Sequence, residues 1–198
     1  SSTNWSSAIN EGTWYGLYSS GGTTTRSTGY YYRGTSSRQS VTITKTSPTT
    51  VMNASSGRTQ QIGSGSTSIG SMSTSCLANS SASLLGWATS SSSTSVGYSD
   101  AEDAFNAGYS TIYGVYRKSG STSRSTCYYY RGSSTRNSVT KTTSISDAYY
   151  YGTGRSSGGT SSTSYGSMTT TCASDSSYSL VGWATSSGTT STSYSSAN

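Results

Sequence analysis

Thr111-Ile112-Tyr113-Gly114-Val115-Tyr116 is the stretch on which the reading of this chain turns. Aromatic and β-branched residues dominate it, and Gly114 leaves room for a ring or a neighbouring backbone, so it reads as a β-strand. A near copy, Thr13-Trp14-Tyr15-Gly16-Leu17-Tyr18, stands 98 positions earlier (111 − 13). An internal repeat of this length makes the chain two copies of one unit.

The copies match outward from these markers. Arg26-Ser27-Thr28-Gly29-Tyr30-Tyr31-Tyr32-Arg33-Gly34 is answered by Arg124-Ser125-Thr126-Cys127-Tyr128-Tyr129-Tyr130-Arg131-Gly132. Val41 and Ile43 alternate with Thr42 and Thr44, the pattern of a half-buried strand, and Val139-Thr140 continues the match. Further on the offset becomes 96 (172 − 76), with Cys76 answered by Cys172. Leu85-Gly86-Trp87-Ala88-Thr89-Ser90 matches Val181-Gly182-Trp183-Ala184-Thr185-Ser186. On a strand, Leu85 and Trp87 share one face, as do Val181 and Trp183, so these are expected core positions. Residues 55–70 and 152–166 are rich in Ser and Gly and read as long loops or an edge hairpin. One helix is expected, opening at Ser99 with Glu102 as a capping box and closing at Gly108. Ala8-Ile9-Asn10-Glu11-Gly12 parallels its second half, Ala104-Phe105-Asn106-Ala107-Gly108.

The expected fold is all-β: two tandem β-sandwich or β-grasp-like repeat domains of about 97 residues, with little helix. Residues 1–18 form an N-terminal segment with a donor-like strand, 19–118 the first repeat domain, and 119–198 a second lacking its last strand.

Composition narrows the function classes. There are 54 Ser and 34 Thr among 198 residues, 9% charged residues and a formal net charge of +6. The basic residues are scattered, so no nucleic-acid patch is expected. No apolar run is long enough for a membrane span. Such Ser/Thr-rich composition suits an extracellular or cell-surface chain open to glycosylation. His is absent, and with it the commonest general base and metal ligand. The six acids, Glu11, Asp100, Glu102, Asp103, Asp147 and Asp175, have no like-charged repeat partners for paired-carboxylate chemistry. No enzyme activity, metal or cofactor is expected. Cys127 has no counterpart, since Gly29 holds its place. A Cys127–Cys172 disulfide and free buried thiols both fit the sequence. The triplets Tyr30, Tyr31, Tyr32 and Tyr128, Tyr129, Tyr130 are candidate glycan contacts, against the plainer reading of one core ring flanked by two outward ones.

Tyr178-Ser179-Leu180-Val181-Gly182-Trp183 resembles the "GY-x-F-x-GW" strand of the Listeria–Bacteroides repeat, the internalin-type B repeat, and 111–116 resembles its closing "TLYA-x-W" strand. The family's Asn-Gly-Gly turn is missing. The resemblance implies a secreted bacterial repeat with a β-grasp-like domain, used in surface structure or adhesion, with no catalytic residues. In that pattern the Leu-Tyr strand closes its own domain after the Gly-Trp strand. Residues 111–116 do so for the first repeat. The second repeat has Trp183 but no such strand after it, while 13–18 is a strand with no repeat before it. The expected function is therefore a structural subunit of an extracellular fibre or surface stalk. Thr13, Trp14, Tyr15, Gly16, Leu17 and Tyr18 form the polymerisation strand, and Val181 and Trp183 line the acceptor groove. Its partners are copies of itself, head to tail. The alternatives are a glycan-binding adhesin or phage fibre module, or a piece of a longer covalent array.

Overall fold

The structure, a computed structural model, describes residues 13–197. The expected Ala8–Gly12 parallel to the helix lies outside the described residues. Among the described residues the fold is all-β with one short helix. The elements are β1 (Leu17–Ser20), β2 (Thr24–Tyr32), β3 (Arg38–Thr46), β4 (Thr49–Asn53), β5 (Thr59–Ile62), β6 (Ser66–Ile69), β7 (Ser83–Ala88), α1 (Ala101–Asn106), β8 (Thr111–Lys118), β9 (Ser121–Tyr130), β10 (Arg136–Ile145), β11 (Ala148–Tyr151), β12 (Arg155–Gly158) and β13 (Ser161–Tyr165). Two compact units result. Of the described residues, the first comprises those up to Tyr116 with Tyr150–Arg155, and the second Arg117–Tyr149 with those from Ser156 onward. The boundary expected after residue 118 falls after Tyr116, and residues 150–155, expected in the second repeat, belong to the first unit.

In the first unit β2 and β3 form an antiparallel pair in which Gly29 faces Val41 and Tyr31 faces Gln39. Period-two alternation turns Tyr31, Val41 and Ile43 inward, where they are buried. Strand β8 runs parallel to β2, placing Tyr31 beside Ile112 and Tyr32 beside Tyr113, and it also pairs with β7 and β11. It is the strand that closes this unit: Ile112, Val115 and Tyr116 are among the largest fully buried side chains. Helix α1 is too short to hold itself together, so its stability comes from packing. Ala104 and Phe105 bury against Tyr31, Val41, Ile43, Trp87 and Ile112. Gly29 makes this approach feasible, since a Cβ there would stand 2.8 Å from Phe105 Cε1. The cap is Asp100 rather than Ser99; its carboxylate accepts from the Glu102 N–H at 2.8 Å.

The expected shared face of Leu85 and Trp87 does not form. Trp87 is buried, whereas Leu85 is exposed and Leu84 packs against the core instead. The pivot is Gly86, at φ +154°, where a Cβ would lie 2.6 Å from the Tyr98 carbonyl oxygen. That backbone conformation breaks the alternation which the sequence pattern assumes.

A separate sheet of the order β1-β4-β5 carries the N-terminal marker. Leu17 pairs with Asn53 and Tyr18 with Met52. Residues 13–16 precede β1 without strand structure, so the strand expected over 13–18 begins only at Leu17. A strand is defined by its ladder partner, and the β1–β4 ladder reaches back only to the Ala54 N–H, which donates to the Gly16 carbonyl at 3.0 Å.

The second unit repeats the hairpin as β9 and β10, with β13 beyond. Val139 faces Cys127 and Lys141 faces both Ser125 and Tyr165. Tyr129 meets Trp183 edge-on at 5.8 Å and 85°, as Tyr31 meets Trp87 at 6.0 Å and 85°. Here the core expectation is corrected: Trp183 is only half-buried and Val181 is 85% exposed. In the first unit β8 covers the β7 segment, and among the described residues nothing covers its counterpart. All three cysteines are free thiols, so the Cys127–Cys172 bond is not made. No described helix is long and apolar enough to cross a membrane.

Candidate functional site: the open groove of the second unit

The site is built from the same parts that surround β8 in the first unit. There β8 lies between β2, at Tyr30, Tyr31 and Tyr32, and β7. Towards its C-terminal end Tyr116 packs into a pocket formed by Cys76, Ala82, Leu84 and Tyr150. Burial pushes the Tyr116 hydroxyl well above the ordinary phenol range; Cys76 adds to this and the Arg33 charge opposes it. The pocket floor is the turn at Gly34, whose positive φ of +79° brings the backbone close enough that a Cβ would stand 2.9 Å from Cys76 Sγ. Arg33 is tied down beside it, donating from Nη1 to the Ser75 carbonyl at 3.0 Å.

The second unit holds every one of these floor elements. Gly132, at φ +71°, places a notional Cβ 2.7 Å from Cys172 Sγ. Arg131 donates from Nη1 to the Thr171 carbonyl at 2.8 Å, and the Ala173 N–H donates to the Arg131 carbonyl at 2.7 Å, as Leu77 does to Arg33 at 2.8 Å. Above this floor lies a groove of about 1210 Å³, walled on one side by Tyr128, Tyr129 and Tyr130 and on the other by residues 178–184. The counterpart of β7 forms no strand; its one backbone pairing among the described residues is the bridge Trp183–Tyr194, equivalent to Trp87–Tyr98. An uncovered extended segment of this kind presents unpaired N–H and C=O groups, a template for another strand.

Of the expected site residues, Val181 and Trp183 line this groove, and Tyr128, Tyr129 and Tyr130 form its opposite wall. In the first unit Tyr31 is buried while Tyr30 and Tyr32 are half-buried; Tyr128 and Tyr130 are exposed. The expected donor residues Trp14, Tyr15, Leu17 and Tyr18 are all exposed, on the first unit. Cys172, Arg131 and Tyr178 also line the groove and were not expected there. The repeat offset pairs Cys172 with Cys76, yet only the Tyr116 pocket shows what that position faces.

The thiol of Cys172 is held below the ordinary thiol range, chiefly by a hydrogen bond with the Ser174 hydroxyl at 3.1 Å and further by backbone N–H groups of Asp175 and Ser174. Asp175 is likewise lowered, by the Ser177 hydroxyl and N–H, which donate to it at 2.7 and 2.9 Å. No group of three or more metal-ligating side chains gathers among the described residues. Searches for related proteins found no matching family model, curated protein or solved structure.

Proposed function

We propose that the chain is a structural subunit that assembles head to tail, the N-terminal strand of one copy entering the second-unit groove of the next. The observation that carries this is the closure of the first unit by β8, a strand of nearly the same sequence as residues 13–18. Carried across by the repeat, Thr13, Trp14 and Tyr15 take the places of Thr111, Ile112 and Tyr113 beside Tyr128, Tyr129 and Tyr130. Tyr15 then stacks on Tyr130 as Tyr113 stacks on Tyr32, at 5.1 Å and 11°. Tyr18 enters the pocket over Cys172 and Arg131. The register supports a wider contact, since Tyr18 pairs with Met52 at the positions equivalent to Tyr116 and Tyr150. Tyr150 completes the Tyr116 pocket, and Met52 is exposed and ready to do the same. Main-chain pairing supplies affinity and the side-chain pockets set register. A heterologous contact that does not close gives an open filament, which fits an extracellular fibre or surface stalk. The test is to delete residues 1–18 and follow assembly by electron microscopy. Loss of filaments supports the reading, and filaments of unchanged repeat distance overturn it.

A second reading, glycan binding, is favoured by one observation. The outward residues of β2 and β3, from Thr24 through Arg26, Thr28, Tyr30 and Tyr32 and from Arg38 through Thr44, reappear unchanged on β9 and β10. The inward face has diverged, with Cys127 for Gly29 and Lys141 for Ile43. Exposed positions contribute little to stability, so their retention points to a ligand. Arg38 lies over Tyr30 at 4.4 Å and Arg136 over Tyr128 at 4.1 Å. Arg26 and Arg124 stand exposed among hydroxyls, a surface suited to an acidic polysaccharide. Salt-sensitive binding lost in the Arg26→Ala, Arg124→Ala variant supports this reading; binding unchanged in that variant rejects it.

A further inference from the structure

The second unit carries another pocket, of about 350 Å³, beside the groove. Cys127, Tyr129, Val139, Tyr165, Met168 and Trp183 are among the residues lining it. The equivalent positions in the first unit, Gly29, Tyr31, Val41, Ile69, Met72 and Trp87, surround Phe105 and Ala104 of α1. Phe105 is 1% exposed there. The pocket is thus the second unit's version of the seat of Phe105. In the sequence the counterpart of Ala104-Phe105-Asn106-Ala107-Gly108 is Ala8-Ile9-Asn10-Glu11-Gly12, which runs straight into the donor strand at Thr13, whereas Tyr109 and Ser110 separate Gly108 from Thr111.

Walls and plug have changed together. In the first unit Gly29 has no space for a side chain, because a Cβ would meet Phe105 Cε1 and Ile43 Cδ1, each at 2.8 Å. In the second unit Cys127 fills that place and the matching plug residue is the smaller Ile9. Ile112, buried beside Phe105, is answered by the larger Trp14. Lys141 stands where Ile43 packs, and Glu11, the one acid before Asp100, stands in the place of Ala107. The wall gains a side chain at 127 where the plug is smaller at 9, as in an interface where close packing penalises both holes and clashes.

Resting on the strand-donation reading, we infer that residues 8–12 of a second copy dock with the donor strand, seating Ile9 against Cys127 in this pocket. The pocket is the specificity element of assembly. It accepts Ile9 and rejects a Phe105-like plug, so the end-to-end joint is matched to the N-terminal segment and not to the α1–β8 segment inside the chain.

Two thiols make the test, one in each site. Full-length chain is alkylated before and after assembly, and Cys172 and Cys127 are quantified separately by mass spectrometry. Protection of both on assembly supports the inference. Protection of Cys172 alone leaves strand donation standing and overturns the seating of Ile9. Protection of neither, in assembled material, overturns strand donation itself. Ile9→Ala is expected to raise the concentration needed for assembly by at least about tenfold, given the usual cost of emptying a buried aliphatic site. Ile9→Phe is expected to weaken assembly in the otherwise natural chain and to recover it when combined with Cys127→Gly. A melting curve of each variant separates this from misfolding. Equal assembly of the Ile9→Phe variant with either residue at 127 overturns the specificity claim.

Discussion

The ring of Tyr18 folds back onto Gly16: a Cβ on Gly16 would lie 2.9 Å from Tyr18 Cε2. Tyr116 does the same to Gly114, at 2.5 Å. One of these rings is fully buried and the other is 61% exposed, so the fold-back belongs to the strand and not to its surroundings. On the strand-donation proposal, the donor would enter its site with the tyrosine already placed, which lowers the ordering cost of association. Gly16→Val therefore displaces the Tyr18 ring and weakens assembly while leaving the melting of the unassembled chain unchanged, since the position is exposed. Sedimentation velocity beside a thermal melt checks this. A Gly16→Val chain that assembles like the natural one refutes the role given to the ring.

Trp87 and Trp183 occupy equivalent places with unequal burial. Trp87→Ala is expected to cost about 3–5 kcal/mol, the usual range for a buried large-to-small change. Trp183→Ala costs less in the unassembled chain, because its site is half open, and it also weakens assembly. Denaturant titration of both variants gives the ordering, and equal losses contradict an open second unit.

Cys172 is the thiol to follow with pH. Ser174 and the neighbouring N–H groups stabilise its thiolate, so the thiolate forms at lower pH than in an unperturbed cysteine. The alkylation rate of Cys172 then rises at a pH below the ordinary thiol range. Ser174→Ala removes the hydrogen bond that contributes most and moves the rise to higher pH. A profile unmoved by that substitution contradicts the assigned cause.

Tyr116 gives the opposite sign. Its folded form resists ionisation, while the unfolded phenol titrates near 10.0. Below that pH the full contribution is present. As pH rises through it, the unfolded state loses protons that the folded state keeps, and stability falls. The Tyr116 hydroxyl is also buried without a hydrogen-bond partner. Tyr116→Phe removes that group, whose burial costs about 1–3 kcal/mol when unsatisfied. The variant is expected to match or exceed the natural chain at neutral pH and to lose less stability on alkaline titration. A large loss at neutral pH rejects this.

Much of the architecture is legible in the residues because it depends on local pattern. Alternation in Val41 and Ile43 is enough to place a half-buried strand, and the acids after Ser99 are enough to place one short helix. Local pattern fails where a glycine with positive φ or a distant partner intervenes. Leu85 was expected inside on period-two alternation, and Gly86 turns it out. Residues 152–166 were expected as loops or an edge hairpin in the second repeat, yet 150–155 complete the first unit, a long-range choice that no local pattern encodes.

By itself the sequence determined the repeat, its two offsets and the all-β character. These follow from periodicity and self-similarity, which are properties of neighbours along the chain. Only the tertiary structure decided that β8 lies between Tyr30–Tyr32 and the β7 segment, that Tyr116 sits over Cys76, and that the same floor in the second unit lies beneath an open groove. Such facts rest on contacts between residues far apart in sequence, where packing and backbone pairing select the partner.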